Sequence, residues 1–233
     1  MCKRTRLCTM LDLGGRFRMG FGPDPLLSGR SFYRENDAQP SKRMVTMDVI
    51  QTEIPGVLLI KPKVFGDHRG FFCETYSRRQ FSEHGLDIDF VQDNQAFSAQ
   101  AGVLRGLHFQ TPPMTQTKLV RVTRGAVFDV VVDLRKGSPT FGRWEGFTLS
   151  AENFLQLLIP AGLAHGYMTL VPNTEFLYKV DRFYSAEHDG GILCNDPALG
   201  IIWPDLVPIL SDKDVRLPRF ADFDSPFLVE SFT

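Results

Sequence analysis

The sequence predicts an all-β fold, an antiparallel sandwich or barrel with a few short helices. Apolar, β-branched-rich segments recur at 88–97, 103–109, 117–123, 126–134, 143–150, 154–159, 165–171 and 174–183. Between them stand turn formers: Gly102, Gly125, Gly137-Ser138-Pro139, Pro160-Ala161-Gly162 and Pro172-Asn173. Only one stretch reads as helix, so a parallel sheet, which needs a crossover helix between strands, is excluded.

In chain order, strand signals begin at Met47, and Val57-Leu58-Leu59-Ile60 is the first strong run. Gly66 and Gly70 bracket a turn before an aromatic stretch over 71–76. The single helix follows, with Ser77 as N-cap, Gln80 completing a capping box, and Gly85 ending it. The strand series comes next. The tail, 211–233, is polar and Pro-containing and is expected to fold back over the sandwich.

Residues 1–43 differ. They carry nine basic and four acidic residues, a net of +5, so the other 190 of the 233 sum to −6 against a chain total of −1. Glycines and prolines interrupt every possible element, and the apolar stretch of a secretory signal is missing. This arm reads as a disordered extension with Met44 or Met47 as the functional start, and a regulatory or targeting arm is the other reading. Residues 44–233 form the folded domain.

Composition excludes several classes. A net charge of −1 argues against general nucleic-acid binding but leaves room for a local basic patch around one anionic ligand. No apolar run approaches the ~18 residues of a spanning helix, so the expected partners include no membrane. Four cysteines (Cys2, Cys8, Cys73, Cys194) without a CxxC pair point to reduced thiols and a cytoplasmic setting.

Costly polar residues interrupt the strands. His108 sits in Arg105-Gly106-Leu107-His108-Phe109-Gln110, and His165 in Ala164-His165-Gly166-Tyr167-Met168. Strict alternation would put Arg105, Leu107 and Phe109 on one face and Gly106, His108 and Gln110 on the other, with Gly106 leaving room for a ligand. Lys118 opens a strand, Tyr178 and Lys179 interrupt another, and Asp67, Arg69 and Glu74 surround the aromatic turn. Each alone reads as an ordinary core or surface residue. Together inside a barrel, such groups must be satisfied by one another or by a ligand.

A metal is not expected. A 3-His or 2-His-1-carboxylate site wants two ligands close together on one strand, as His-x-His or His-x-Asp/Glu, whereas Gln110 and Tyr167 occupy the second position after the two histidines. There is no Gly-x-Ser-x-Gly elbow, phosphate loop or dinucleotide motif.

The matching stretches are 62–72 (Pro-Lys-Val-Phe-Gly-Asp-His-Arg-Gly-Phe-Phe), 90–94 (Phe-Val-Gln-Asp-Asn), 103–110, 118–121 (Lys-Leu-Val-Arg), 138–142 (Ser-Pro-Thr-Phe-Gly), 149–153, 159–160, 164–166 and 175–179 (Glu-Phe-Leu-Tyr-Lys). In that order they resemble the dTDP-4-dehydrorhamnose 3,5-epimerase family, metal-free members of the cupin superfamily, from about Met47 to about Pro218. The resemblance implies a jelly roll, a nucleotide-linked 4-keto-6-deoxy sugar as substrate, no cofactor, and a homodimer. It implies His108 as base, Asp214 as the carboxylate that orients it, Tyr178 as acid, and Lys118 against the C4 oxygen. Arg69 and Arg105 would clamp the diphosphate. Glu74, Gln92, Asn94, Phe65, His165 and Phe183 would contact nucleotide and sugar, partly across a dimer interface. The sequence departs from the family at Gln95, Leu158, Ala161, Leu163 and Phe183, which bears on the sugar pocket. Inversion at C3 only therefore stays open, and a non-catalytic sugar-nucleotide binder and a metallo-cupin are further alternatives.

Overall fold

A computed structural model describes residues 47–232. The expectation for residues 1–43 lies outside the described residues. Thirteen strands and one helix are defined among those described: β1 Met47–Gln51, β2 Leu58–Pro62, β3 Val64–Asp67, β4 Gly70–Cys73, α1 Arg78–Glu83, β5 Gln92–Ser98, β6 Leu104–Gln110, β7 Lys118–Arg124, β8 Ala126–Asp133, β9 Trp144–Ser150, β10 Gln156–Ile159, β11 Leu163–Thr169, β12 Thr174–Val180 and β13 Asp189–Gly191. They build a six-stranded sheet of order β1-β2-β10-β7-β12-β5, a five-stranded sheet of order β13-β6-β11-β8-β9, and the separate β3–β4 hairpin. All pairs between named strands are antiparallel. The two sheets form a sandwich, as the strand spacing predicts, of the jelly-roll kind that the family resemblance implies.

Burial explains the apolar runs. Val120 and Val122 of β7, Leu157 and Ile159 of β10 and Phe176 of β12 meet Val127 and Val131 of β8 and Leu163 of β11 between the sheets. Val130 and Val132 of β8 turn outward, yet are covered by Phe227 and Ile192 from the C-terminal segment. That is why β8 reads as a nearly continuous apolar run instead of an alternating one. On the outer side of the six-stranded sheet, α1 inserts Phe81 against Leu58, Ile60, Leu119 and Leu158. Phe81, Phe176 and Phe227 are each almost fully buried, which stabilises the fold by about 1.5–3 kcal/mol apiece.

Gly125 is the corner between β7 in one sheet and β8 in the other. Its φ of +78° and a Cβ position only 2.4 Å from Thr174 Oγ1 leave glycine as the residue that fits. This corner places Lys118 and Asp129 on facing sheets.

Four local expectations need correction. Ser77 is the N-cap position of α1 but makes no side-chain cap bond, and the Gln80 amide donates to Glu74 Oε2 (2.5 Å), so no capping box forms. The strand expected from residue 88 starts at Gln92. No strand is predicted beyond 174–183, yet β13, glycine-rich and without β propensity, pairs with β6 through Gly190↔Phe109.

The fourth correction shapes the site. Pairing of β11 with β6 shifts register between His165↔His108 and Tyr167↔Arg105, which leaves two β6 residues opposite one on β11. This bulge at Gly106-Leu107 breaks the alternation. Leu104, Leu107 and Phe109 join the outer core, whereas Arg105 and His108 share a cavity. Gly106 leaves no room for a ligand: a Cβ there would lie 2.5 Å from Gly166 Cα and 2.8 Å from the His165 carbonyl.

Candidate active site

Both sheets contribute side chains to a cavity of about 150 Å³ between them. The five-stranded sheet supplies Arg105 and His108 from β6 and His165 and Tyr167 from β11. The six-stranded sheet supplies Lys118 from β7 and Tyr178 from β12. His108 therefore faces Tyr178 from the opposite wall.

His108 is held from behind. Its Nε2 lies 2.5 Å from Asp214 Oδ1, in the short 3-10 turn Asp214–Arg216. The Ser211 hydroxyl donates to Asp214 Oδ2 (2.8 Å) and accepts from the Asp214 amide (3.2 Å). A carboxylate can only accept, so Asp214 fixes the ring proton on Nε2 and leaves Nδ1 as the basic nitrogen. Burial pushes the His108 imidazolium below its ordinary range, Asp214 pulls the other way, and Lys118 and Lys213 add to the lowering. His108 is thus a neutral base at pH 7.

Lys118 is pushed down to about 8 by burial, against the pull of Asp129 and Asp189. It keeps its charge at neutral pH while remaining poised near loss of it. Burial raises the Tyr178 hydroxyl, Arg105 opposes this and Asp189 adds to it, so Tyr178 holds its proton as an acid must. His165 is buried, and its Nε2 sits 3.0 Å from both oxygens of Asp129. Burial holds the Asp129 carboxyl up, with His165 and Lys118 counteracting.

The remaining predicted site residues divide. On β5, Gln92 donates to Asn94 Oδ1 (2.8 Å) and accepts from the Tyr184 amide (3.2 Å), and Asn94 pairs in register with Tyr178. Phe183 is exposed beside that segment. Neither Gln92, Asn94 and Phe183 nor Arg69, Phe65 and Glu74 line the cavity itself. Arg69 grips Asp67 at the tip of the exposed β3–β4 hairpin, Lys63 Nζ lies over the Phe65 ring at 5.3 Å, and Glu74 is bonded to Gln80.

The sequence did not single out Tyr167 in the cavity wall, nor two residues behind that wall: Asp129, bonded to His165, and Ser211, bonded to Asp214. For Asp129 the available signal was an acidic residue inside Val-rich β8. Among the described residues, no group of three or more His, Cys, Asp or Glu side chains is arranged to hold a metal ion, and no helix is long and apolar enough to cross a membrane.

An imidazole and a phenol on opposite walls of one cavity, with an ammonium beside them, have the chemistry to take a proton from one face of a carbon acid and return one to the other. The fold and site thus define a cupin-type jelly roll built around proton transfer. The chain matches the family model described as dTDP-4-dehydrorhamnose 3,5-epimerase over residues 51–222, and it belongs to that family. It is 54% identical to the dTDP-4-dehydrorhamnose 3,5-epimerase of Shigella flexneri over 179 residues, 76% of this chain and 98% of the relative. The crystal structure of the Bacillus anthracis enzyme with TDP and pyrophosphate bound superposes with a TM-score of 0.73 at 55% identity, covering 75% of this chain and 99% of that one. The Legionella pneumophila epimerase in complex with dTDP-4-keto-L-rhamnose gives 0.74 at 45% identity, covering 78% and 97%.

Proposed function

We propose that this protein inverts C3 and C5 of a dTDP-linked 4-keto-6-deoxyhexose in deoxysugar synthesis. His108 and Tyr178 on opposite walls of one cavity, with Lys118 between the sheets, carry this reading. The C4 carbonyl acidifies the hydrogens on both neighbouring carbons. His108 Nδ1 takes one of them, the electron pair moves into an enolate, and its negative charge collects on the C4 oxygen beside Lys118. That interaction strengthens only as charge develops, so it lowers the barrier instead of merely tightening binding. Tyr178 then donates its proton to the opposite face, and both groups recover their protonation through solvent.

Arg105 at the cavity wall and Arg69 on the hairpin supply guanidinium forks for the diphosphate. Gln92, Asn94, Glu74, Phe65, His165 and Phe183 complete the nucleotide and sugar contacts. Arg69 and Phe65 reach a substrate when the hairpin enters a second copy of the chain. Exposed Phe65, Phe71 and Phe72 support such a homodimer, because an aromatic hairpin in water is a surface that seeks a partner. Cys73 and Cys194 are free thiols, which suits a reducing cytoplasm.

The test is incubation with the dTDP-4-keto-6-deoxyhexose in heavy water, followed by NMR. Deuterium at both C3 and C5 with inversion at each is the expected result, and uptake at C3 alone would reduce the reading to a monoepimerase. Sedimentation measures the dimer.

A further inference from the structure

Among the described residues, the Tyr167 hydroxyl is the one buried side-chain polar atom without a hydrogen-bond partner. The residue is 5% exposed and forms part of the cavity wall beside His108 and Tyr178. Its ring is well used: it stacks on Phe176 with centroids 4.0 Å apart and planes 15° apart. A phenylalanine would make that same contact, so the hydroxyl adds nothing to packing and costs desolvation. Asp133 shows how this protein treats other buried polar groups, taking bonds from Arg135 Nε (2.9 Å), Ser138 (2.6 Å) and Thr140 (2.6 Å).

We propose that the Tyr167 hydroxyl donates a hydrogen bond to a hydroxyl oxygen of the bound sugar ring, making Tyr167 a substrate-specificity residue of this site. The inference rests on the epimerase reading above. In that reading the C4 oxygen belongs to Lys118, and a ring ether oxygen is a weak acceptor, which leaves the C2 and C3 hydroxyls. Burial pushes the Tyr167 phenol up to about 12, with Arg105 opposing and Asp129 and Tyr178 contributing smaller effects. The group is therefore a donor throughout the working range. Arg105 acts on the phenol by charge and as a weak donor to its oxygen, outside normal hydrogen-bond geometry, and a guanidinium cannot accept the O–H proton.

The experiment compares Tyr167→Phe with the unaltered protein in C3 and C5 deuterium uptake, using the dTDP-4-keto-6-deoxyhexose and its 2-deoxy and 3-deoxy counterparts. The variant is expected to lose roughly 3- to 10-fold in kcat/KM on the parent sugar, mostly through KM. That penalty should vanish on the one analogue lacking the acceptor. Its thermal midpoint should stay level or rise, because an unpaired buried hydroxyl has gone. Equal kcat/KM for the two proteins, or the full penalty on both deoxy sugars, overturns the proposal. A variant markedly less stable than its parent also overturns it, marking the hydroxyl as structural. Absence of exchange in the unaltered protein rejects the epimerase reading and the proposal together, whereas the other failures leave that reading intact.

Discussion

His108 and Asp214 lie 106 residues apart in sequence and 2.5 Å apart in space, joining an inner strand of the sandwich to a turn near the C-terminus. The tail thus supplies the carboxylate that holds the His108 ring. Its attachment is independent of the site, since Phe227 sits in the outer core and its carbonyl accepts from the Lys136 amide at 2.8 Å.

Replacing Asp214 by Asn should cut exchange at both carbons by roughly 10²–10⁴-fold, because an amide can donate to Nε2 and move the ring proton onto Nδ1. Nucleotide binding should persist. The pair acts as a unit, so the double variant His108→Asn/Asp214→Asn should be scarcely worse than His108→Asn alone. Full additivity in the exchange rates would show that Asp214 does not work through His108.

The pH dependence of kcat/KM should be bell-shaped. Below its pKa His108 is protonated and cannot accept a proton; burial lowers that pKa, so the acid limb should fall below the ordinary histidine value of 6.5. Above about 8 Lys118 loses the charge that meets the enolate, which sets the alkaline limb. Lys118→Arg should be slower but should lose the alkaline limb, since a guanidinium stays charged. An alkaline limb unchanged in that variant would assign it to another group.

Gly106→Ala should destabilise the fold by about 2–5 kcal/mol in urea unfolding, combining backbone strain at φ +124° with a Cβ driven into Gly166 and His165. It should also separate the β6 and β11 strands that carry His108 and His165. Stability within about 0.5 kcal/mol of the parent would mean that the bulge can relax.

Much of this was legible in the sequence. Seven of the eight predicted strand segments lie within two residues of an observed strand at each start, because β-branched runs between glycine and proline turns have few other solutions. His108, Lys118 and Tyr178 stood out as polar interruptions of apolar strands. The bulge did not, since it depends on which strand β6 meets and where that strand has Gly166. Neither did Asp214, which sits in a polar tail with no pattern of its own and was marked only by family resemblance. Gln80 carried a correct local signal that tertiary structure overrode, its amide finding Glu74 instead of the helix end. Tyr167 was hidden for the opposite reason: its ring reads as ordinary core, and only the unpaired hydroxyl betrays it.

Tyr178→Phe should separate the two halves of the reaction. The hydroxyl that delivers a proton to the far face is gone, but His108 and Lys118 remain to form the enolate. The ring can keep its contact with Phe176, 6.2 Å between centroids, so the cavity should keep its shape. Deprotonation then continues, and the proton returns from His108 to the face it left. Deuterium should enter C3 or C5 without a matching yield of inverted sugar, and turnover to inverted product should drop by roughly 10²–10⁴-fold. Inversion of both centres at near the parental rate would make Tyr178 a packing residue. Loss of exchange as complete as in His108→Asn would place it with the base, and the acid would then have to be sought elsewhere on the six-stranded wall.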